Sequence, residues 1–552
     1  MSASPQEIVT LTIDGKQVKV PKGTNLIEAA QSVGIEIPHY CYHQNLSIAG
    51  NCRMCQVRVK GMPKMEIACN MQAKEGMEVA TQLSSKEVAD TQAAVLEFIL
   101  INHPLDCTVC DQAGHCKLQD YHYEYNARPA RFVEEKEHKV KAEPLGPTVM
   151  LDGERCIMCT RCIRFCDEVT KTSELGMLNR GDKSVIAISP GKELNNALSG
   201  TVVDLCPVGA LTHREWRFNT RIWFTDQTNS ICPGCSTGCN VKVATRSGEV
   251  VQVKGRQNDA VNKEWMCDEG RYGFARFLPK SRVKGAVVAG KTSTVEDAIK
   301  ECKKLSSGET VVFLSPDLLV EEYFVTRALV EKHLKGARVV LSYKERSLNE
   351  VEKILVSPDY AANFRGAEFS GVVSGDLNSA FKSAISDLKE GKFKNVLVVG
   401  DLAIPKVDAD ATVLSAVKNA QISIGILTDS TLELASAVKV LFGGRSILEK
   451  SGLLLNRNSR LQYSDKVIEF PDGTEPEWRL LNRIAETLGN KVVGSQADRE
   501  LTLSYLAGES RLSGLTISLV KAGGIDLKSF TPGSITTNNS VSASSQSVGV
   551  PA

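Results

Sequence analysis

No apolar run in this 552-residue chain approaches the ~20 residues a helix needs to cross a bilayer, so the polypeptide is not expected to span a membrane. Charge of one sign is missing too. The chain sets 66 Lys+Arg against 65 Asp+Glu, a formal +1, which argues against an electrostatically driven nucleic-acid binder. The opening stretch MSASPQEIVT has no charged region followed by an apolar core and no Arg-rich transit character, so a cytosolic location is expected. No G-x-G-x-x-G lies between a strand and a helix, which removes the dinucleotide fingerprint. Residues 285–292, GAVVAGKT, do fit G-x4-G-K-[ST], but no apolar strand precedes Gly285, and Val287-Val288 falls inside the supposed loop. A short strand turning at Gly290 is the better reading. What remains, 42% apolar and 24% charged residues, fits a soluble globular protein of about two to four domains.

Against these absences stands cysteine. Sixteen of the 17 fall between Cys41 and Cys267, and only Cys302 follows. With no export signal, such density reads as metal ligation and not as a disulfide framework. Structural zinc usually takes two separated pairs, so that two short knuckles build a tetrahedron. Here Cys156/Cys159/Cys162 and Cys232/Cys235/Cys239 stand in tight succession, each run with a remote fourth cysteine. That arrangement wraps a cubane cluster, whose four corner irons each need one ligand.

Residues 8–20, IVTLTIDGKQVKV, form two alternating runs around Asp14-Gly15, a β-hairpin pattern, and Asn25 then caps a helix with Glu28 three residues on. Hairpin, helix and cysteine loop suggest a β-grasp ferredoxin domain. The order Cys41, Cys52, Cys55, Cys69 suits [2Fe-2S], each iron taking two thiolates, although ten residues separate the first two where the plant type has four. Gly50, Arg53, Arg58 and Lys60 offer donors and positive charge to that centre, or else form an ordinary solvated strand edge. Residues 84–102 predict a helix with a Ser84–Glu87 capping box and a stripe of Val88, Val95, Leu96, Phe98 and Ile99, closed by Pro104. His103 follows, then Cys107, Cys110 and Cys116. Three cysteines cannot complete four corners. His103 is either the missing ligand or a helix C-cap, and His115, directly before Cys116, is a local competitor.

Cys156, Cys159, Cys162 and Cys166 form the C-x2-C-x2-C-x3-C run of a bacterial ferredoxin, in which the fourth cysteine serves a partner cluster. Cys206-Pro207 resembles the end of the second run. Counting back from it puts Asn196, Ser199 and Val202 where the partner's other cysteines should stand, so that second cluster has lost its ligands. Cys206 would still close the first, leaving Cys166 as a small buried hydrophobe. Cys232, Cys235 and Cys239, with Cys267 after an alternating hairpin stretch, have the order of a further cubane. From Ser281 onward ETVVFLSPD, ARVVLSY, KNVLVVGD and QISIGILTD read as strands of a parallel α/β sheet. Cys302 falls in a helical pattern and suggests no metal. The last stretch, TPGSITTNNSVSASSQSVGVPA, is polar and low in complexity, and disorder is expected there.

Together the Cys41–Cys69 set, EFILINHPLDCTVCDQAGHCKLQD (97–120), RCIMCTRCIRFCDE (155–168), LCPVGAL (205–211), CPGCSTGCN and WMCDEGR closely resemble the G-subunit family of bacterial NADH:quinone oxidoreductase, the 75-kDa-type subunit of respiratory complex I. The resemblance implies one [2Fe-2S] and three [4Fe-4S] centres, with His103 as a ligand and Cys206 in the third set. The implied ligands are Cys41, Cys52, Cys55 and Cys69; His103, Cys107, Cys110 and Cys116; Cys156, Cys159, Cys162 and Cys206; and Cys232, Cys235, Cys239 and Cys267. The last centre would lie off the main electron route. The implied fold is multidomain, α+β and α/β. It comprises a [2Fe-2S] β-grasp ferredoxin-type domain (1–83), a [4Fe-4S] segment ligated by one histidine and three cysteines (84–125), a bacterial-ferredoxin-like [4Fe-4S] domain (126–224) and a four-cysteine [4Fe-4S] domain of molybdopterin-oxidoreductase type (225–283). A parallel α/β domain (284–522) and a disordered tail (523–552) follow.

RVKGAVVAGKTSTVEDAI and ILEKSGLLLNRNSRLQ (447–462) resemble the molybdopterin-oxidoreductase domain, here shortened. No cysteine lies where a molybdenum ligand would be sought, so no complete pterin site is expected. The work implied is one-electron relay within a proton-pumping NADH:quinone oxidoreductase, with no catalytic residue in this chain. Implied partners are the NADH-oxidising FMN flavoprotein, a small [2Fe-2S] subunit and the quinone-proximal subunits of the peripheral arm. The membrane arm is engaged indirectly, no nucleic acid is involved, and the place is the cytoplasmic face of the bacterial inner membrane. Fifteen thiolates around four cores of about +2 leave about −7, which Arg53, Lys117, Arg161 and Arg164 are placed to offset. The alternative, an iron–sulfur/pterin subunit of an NAD-linked formate dehydrogenase, needs a full-length pterin domain. An iron-only hydrogenase needs further cysteine motifs after Cys302, and a zinc-stabilised scaffold needs zinc in place of iron and sulfide.

Overall fold

The computed structural model describes residues 7–126, 129–306, 308–360 and 362–532. They fall into two compact units, one of Met1–Gln227, Lys242–Gly273 and Leu348–Val356, the other of Thr228–Val241, Phe274–Ser347 and Ser357–Ala552. No helix among the described residues is long and apolar enough to cross a membrane.

The first unit opens on the expected hairpin, Ile8–Ile13 against Lys16–Pro21, turning at Asp14 and Gly15, both with positive φ. Its alternation buries Val9, Leu11, Ile13, Val18 and Val20 against Leu26, Ile27, Ala29 and Ala30 of the helix Leu26–Gln31. Asn25 caps that helix by accepting from the Glu28 N–H at 3.0 Å. Glu78–Ala80, Gln56–Val59 and Glu66–Ile67 complete a five-stranded sheet. The next helix runs Lys86–Leu100, and its cap is Ser85 instead of Ser84. Ser84 is diverted, because its hydroxyl bonds the Asp14 carboxylate. The buried face is Val88, Gln92, Ala93 and Leu96, whereas Phe98, expected inside, is 73% exposed.

The ferredoxin-like segment combines a three-stranded sheet, Glu143–Pro144, Val149–Leu151 and Leu211–His213, with a hairpin of Leu175–Leu178 and Val185–Ile188. Helix Arg161–Arg164 runs into a wide turn at Phe165–Val169, and helix Thr201–Leu205 ends at Cys206.

The second unit is built on a seven-stranded sheet. Its parallel part has the order Arg338–Leu341, Thr310–Leu314, Asn395–Val399, Ile422–Leu427, Val440–Gly443, so the four apolar runs read from the sequence are adjacent strands. Ala286–Val288 and Lys291–Ser293 form an antiparallel hairpin turning at Ala289-Gly290, so the stretch that mimics a phosphate loop is a strand and a tight turn. A smaller sheet joins Gly452–Leu455, Arg460–Ser464 and Ile525–Asp526. Part of the expected tail therefore belongs to the fold, because Ile525, Leu527 and Phe530 pack on an apolar cluster. Residues 533–552 lie outside those described.

The segment 225–283, expected as one domain, is divided between the units. Residues on its loop from 228 to 241 bond within the second unit. Asn240 donates to Gln462 at 2.6 Å, Gln462 to the Gly238 carbonyl at 2.9 Å, and the Arg457 N–H to the Ser236 carbonyl at 2.7 Å. Asp268 and Arg271 bond instead to residues 199–204 of the first unit.

Candidate iron–sulfur sites

The first cysteine set resolves into two pairs. The Cys52 thiol hydrogen-bonds Cys41 and pulls its thiol down to about 5, and Cys69 is lowered in the same way by Cys55. Cys52 and Cys55 are raised correspondingly. Two close pairs are what a two-iron centre needs, with two thiolates on each iron. Of the basic residues considered beside it, Arg58 and Lys60 are engaged by Glu87 and Glu78, which makes them a solvated sheet edge. Lys117 is likewise paired, with Glu36 at 2.9 Å.

In the third set, Cys156, Cys159, Cys162 and Cys206 line one cavity, walled by Leu151, Ile186, Val208 and Leu211. Cys166 is not among its lining residues. It is fully buried, its carbonyl accepts from the Thr170 hydroxyl at 3.2 Å, and burial pushes its thiol to about 12. The positions where a second ferredoxin cluster would have its cysteines are filled by a buried network. Asn196 bonds Glu174, Ser199 bonds Thr148 at 3.0 Å and Asp268 at 2.5 Å, and Val202 is in the core.

In the second set Cys110 and Cys116 are buried and Cys107 is exposed. His103 is largely buried with Nδ1 lacking any hydrogen-bond partner, and burial pushes the imidazole down to about 4, so it is held neutral. A neutral ring with an unpartnered nitrogen fits a metal ligand. His115 also has an unpartnered Nδ1, but it lines a separate pocket with His213, Trp216 and Lys254 that includes no cysteine.

The fourth set is split. Cys232, Cys235 and Cys239 belong to the second unit, where the Cys232 N–H bonds the Cys239 carbonyl at 2.8 Å and the Ser357 N–H approaches Cys235 Sγ at 3.5 Å. Gly238 has φ +62°, and a Cβ there would meet the Gln462 amide at 2.7 Å. Asn456 and Gln462, in the late LLLNRNSRLQ stretch, hold this loop, a role the sequence motif alone did not disclose. Cys267 belongs to the first unit and caps helix Asp268–Tyr272, its Sγ accepting from the Gly270 N–H at 3.3 Å. No three His, Cys, Asp or Glu side chains among the described residues crowd around a single ion. Cubane ligands stand apart at the corners of a cage, so they need not crowd around one ion.

The sets are joined within the first unit. Arg164 Nη2 donates to the carbonyls of Cys41 at 2.6 Å and Cys159 at 3.3 Å, and Arg161 donates to those of Tyr42 and Leu205. Asp106, beside Cys107, is bound by Arg155, beside Cys156, at 3.0 Å. The loop after Cys206 presses on the second set, since a Cβ at Gly209 would meet Cys110 Sγ at 2.2 Å.

Comparison with known proteins adds four matched regions. Residues 6–84 match a 2Fe-2S iron-sulfur cluster binding domain, and 92–131 an NADH-ubiquinone oxidoreductase-G iron-sulfur binding region. Residues 146–212 match the ferredoxin-like domain of NADH-quinone oxidoreductase subunit 3, and 225–277 a molybdopterin oxidoreductase Fe4S4 domain. The chain is 41% identical over 287 residues to an NADH dehydrogenase [ubiquinone] iron-sulfur protein 1 of Solanum tuberosum, covering 52% of this chain and 38% of that one. It is 37% identical over 371 residues to the NADH-ubiquinone oxidoreductase 75 kDa subunit of Reclinomonas americana, covering 65% and 53%. Identity is 39% over 294 residues with the NADH-quinone oxidoreductase G subunit of Streptomyces coelicolor, covering 53% and 35%. The chain thus spans about half the length, or less, of these relatives.

Proposed function

We propose that this chain, related through its iron–sulfur half to the G subunit and the 75 kDa subunit of NADH-quinone oxidoreductases, is the electron-relay subunit of a proton-pumping NADH:quinone oxidoreductase. When bound, one [2Fe-2S] and three [4Fe-4S] centres supply one-electron oxidation and reduction. The ligands are the sixteen residues of the four sets, His103 among them. Electrons arrive from an NADH-oxidising FMN flavoprotein, beside a small [2Fe-2S] subunit, and pass to the quinone-proximal peripheral-arm subunits at the cytoplasmic face of the bacterial inner membrane. The α/β domain serves as scaffold, without a pterin.

The observation that carries this reading is the chain of bonds between ligand loops. Arg161 and Arg164 hold the first loop on the third, and Arg155 with the close packing at Gly209 holds the third on the second. The outlet is marked by exposure. Next to exposed Cys107 in the chain are exposed Leu105 (92%) and Val109, and Arg221, bonded to the Thr108 and Cys110 carbonyls, ties to this loop the exposed stretch of Phe218, Trp223 and Phe224, with Arg217 and Arg221 over Phe218 and Trp223. Exposed aromatic and arginine side chains of this kind form the anchors of protein interfaces, and the cations select an acidic partner. The test is anaerobic iron and acid-labile sulfide analysis with redox-poised EPR. About fourteen irons per chain are expected; colourless protein filled with zinc would end the proposal.

A further inference from the structure

Tyr40 and Tyr121 are a buried aromatic pair, ring centroids 5.5 Å apart, in which only one hydroxyl is satisfied. Tyr121 donates to Glu36 at 2.8 Å. Tyr40 is 0% exposed, and its hydroxyl has no hydrogen-bond partner in the protein. Native structures rarely bury a phenol without a partner, because the lost hydration is not replaced. The position of the residue says what is missing. Tyr40 immediately precedes the ligand Cys41, and the Tyr121 against which it packs lies on helix Lys117–Tyr125, whose N-terminal cap is Cys116. Tyr40 is therefore wedged between the ligand loops of the first and second sets. A phenol carries its proton at neutral pH, so this hydroxyl is able to donate to a neighbouring acceptor.

Resting on the iron–sulfur reading above, we infer that the Tyr40 hydroxyl donates a hydrogen bond to sulfur of the centre that Cys116 helps to hold, and so sets that centre's potential. A hydrogen bond to sulfur stabilises the reduced, more negative state more than the oxidised one, which raises the potential. The contact also explains why an aromatic with a polar tip stands in this packed site where phenylalanine would fill the same space.

Tyr40→Phe removes the hydroxyl and keeps the ring, and Tyr121→Phe, whose hydroxyl already has Glu36, is the control. In the holoprotein, redox-poised EPR of Tyr40→Phe is expected to show the second centre about tenfold less reduced at a fixed poise, which is about 59 mV for a one-electron couple. The wild type should also show an exchangeable proton coupled to that centre, absent from the variant. Tyr121→Phe should leave both signatures in place. An unshifted second centre, a shift confined to the first centre, or equal shifts in both variants would overturn the assignment. Iron content is measured on the same samples, so a chain that holds no clusters would sink the relay reading itself, whereas full clusters with an unchanged potential would sink only the role of Tyr40.

Discussion

The Nη2 of Arg164 lies 2.6 Å from the carbonyl oxygen of Cys41, and the same nitrogen reaches the Cys159 carbonyl at 3.3 Å. One guanidinium thus touches a ligand residue of the first set and one of the third, while its Nη1 bonds the Ser47 carbonyl. Such a fork needs planar, multiply donating geometry that lysine lacks. Arg164→Lys is expected to keep both clusters yet weaken the magnetic interaction between the two centres when both are reduced. Arg164→Gln should in addition lower stability by about 2 kcal/mol, the scale of a lost charge-assisted hydrogen bond in a half-buried site. EPR line-splitting and thermal unfolding measure the two effects, and an unaltered splitting in both variants would show that the fork does not fix the spacing.

The cavity of the third set sharpens a choice between two cysteines. Cys206 lines it and Cys166 does not. Cys206→Ser is expected to cost one cubane, taking iron from about fourteen to about ten per chain, whereas Cys166→Ser should leave the count unchanged. Loss of iron in the Cys166 variant would transfer the fourth corner to that residue.

Much of this was legible in the chain because ligand chemistry is local. Spacing alone grouped Cys156, Cys159 and Cys162 and set Cys206 apart as a remote closing residue, whereas the pairing it suggested between Cys52 and Cys55 gives way in the structure to Cys41 with Cys52 and Cys55 with Cys69. Period-two runs around Asp14-Gly15 and the β-branched runs from Thr310 to Leu427 were strands for the same reason, since a short repeat is visible without its partner. What stayed hidden was long-range. Ser84 yielded the helix cap to Ser85 because Asp14, seventy residues earlier, claimed its hydroxyl. Phe98 fits an apolar stripe, and only the packed structure shows it facing out. The Arg164–Cys41 bond, the Arg155–Asp106 bridge and the hold of Gln462 on Gly238 join residues 49 to 224 positions apart, and no periodicity announces such contacts.

The α/β domain carries its own titration. Glu321 is buried, accepts from the Leu453 N–H at 3.0 Å and the Thr502 hydroxyl at 2.5 Å, and burial nevertheless raises it from 4.5 to about 7. The folded state therefore binds a proton that the unfolded state has released above pH 4.5. Stability from this group is complete below pH 4.5 and is lost as pH rises to about 7, a span of about 3 kcal/mol. Glu321→Gln removes the titrating proton. Denaturant unfolding at pH 5.5 to 8 is expected to show a flatter pH slope in the variant, and parallel slopes would mean that Glu321 is ionised in the folded domain.

His103 offers the cleanest change of ligand charge. Its Nδ1 is buried and unpartnered, and the ring is neutral across the working pH range. A neutral donor at one corner leaves the second centre one negative charge short of a four-thiolate cage, which favours adding an electron. Cysteine supplies a thiolate from a shorter side chain, so His103→Cys requires the loop at Pro104 to close inward. That loop is largely exposed at Leu105, and the movement meets little packing. The variant is expected to retain full iron and to lower the potential of this centre alone. His103→Ala should lose the corner iron, detected as a three-iron signal in the oxidised state. A His103→Cys protein whose second centre titrates where the wild type does would show that the imidazole is not bound to iron, and the orphaned nitrogen would then need another partner.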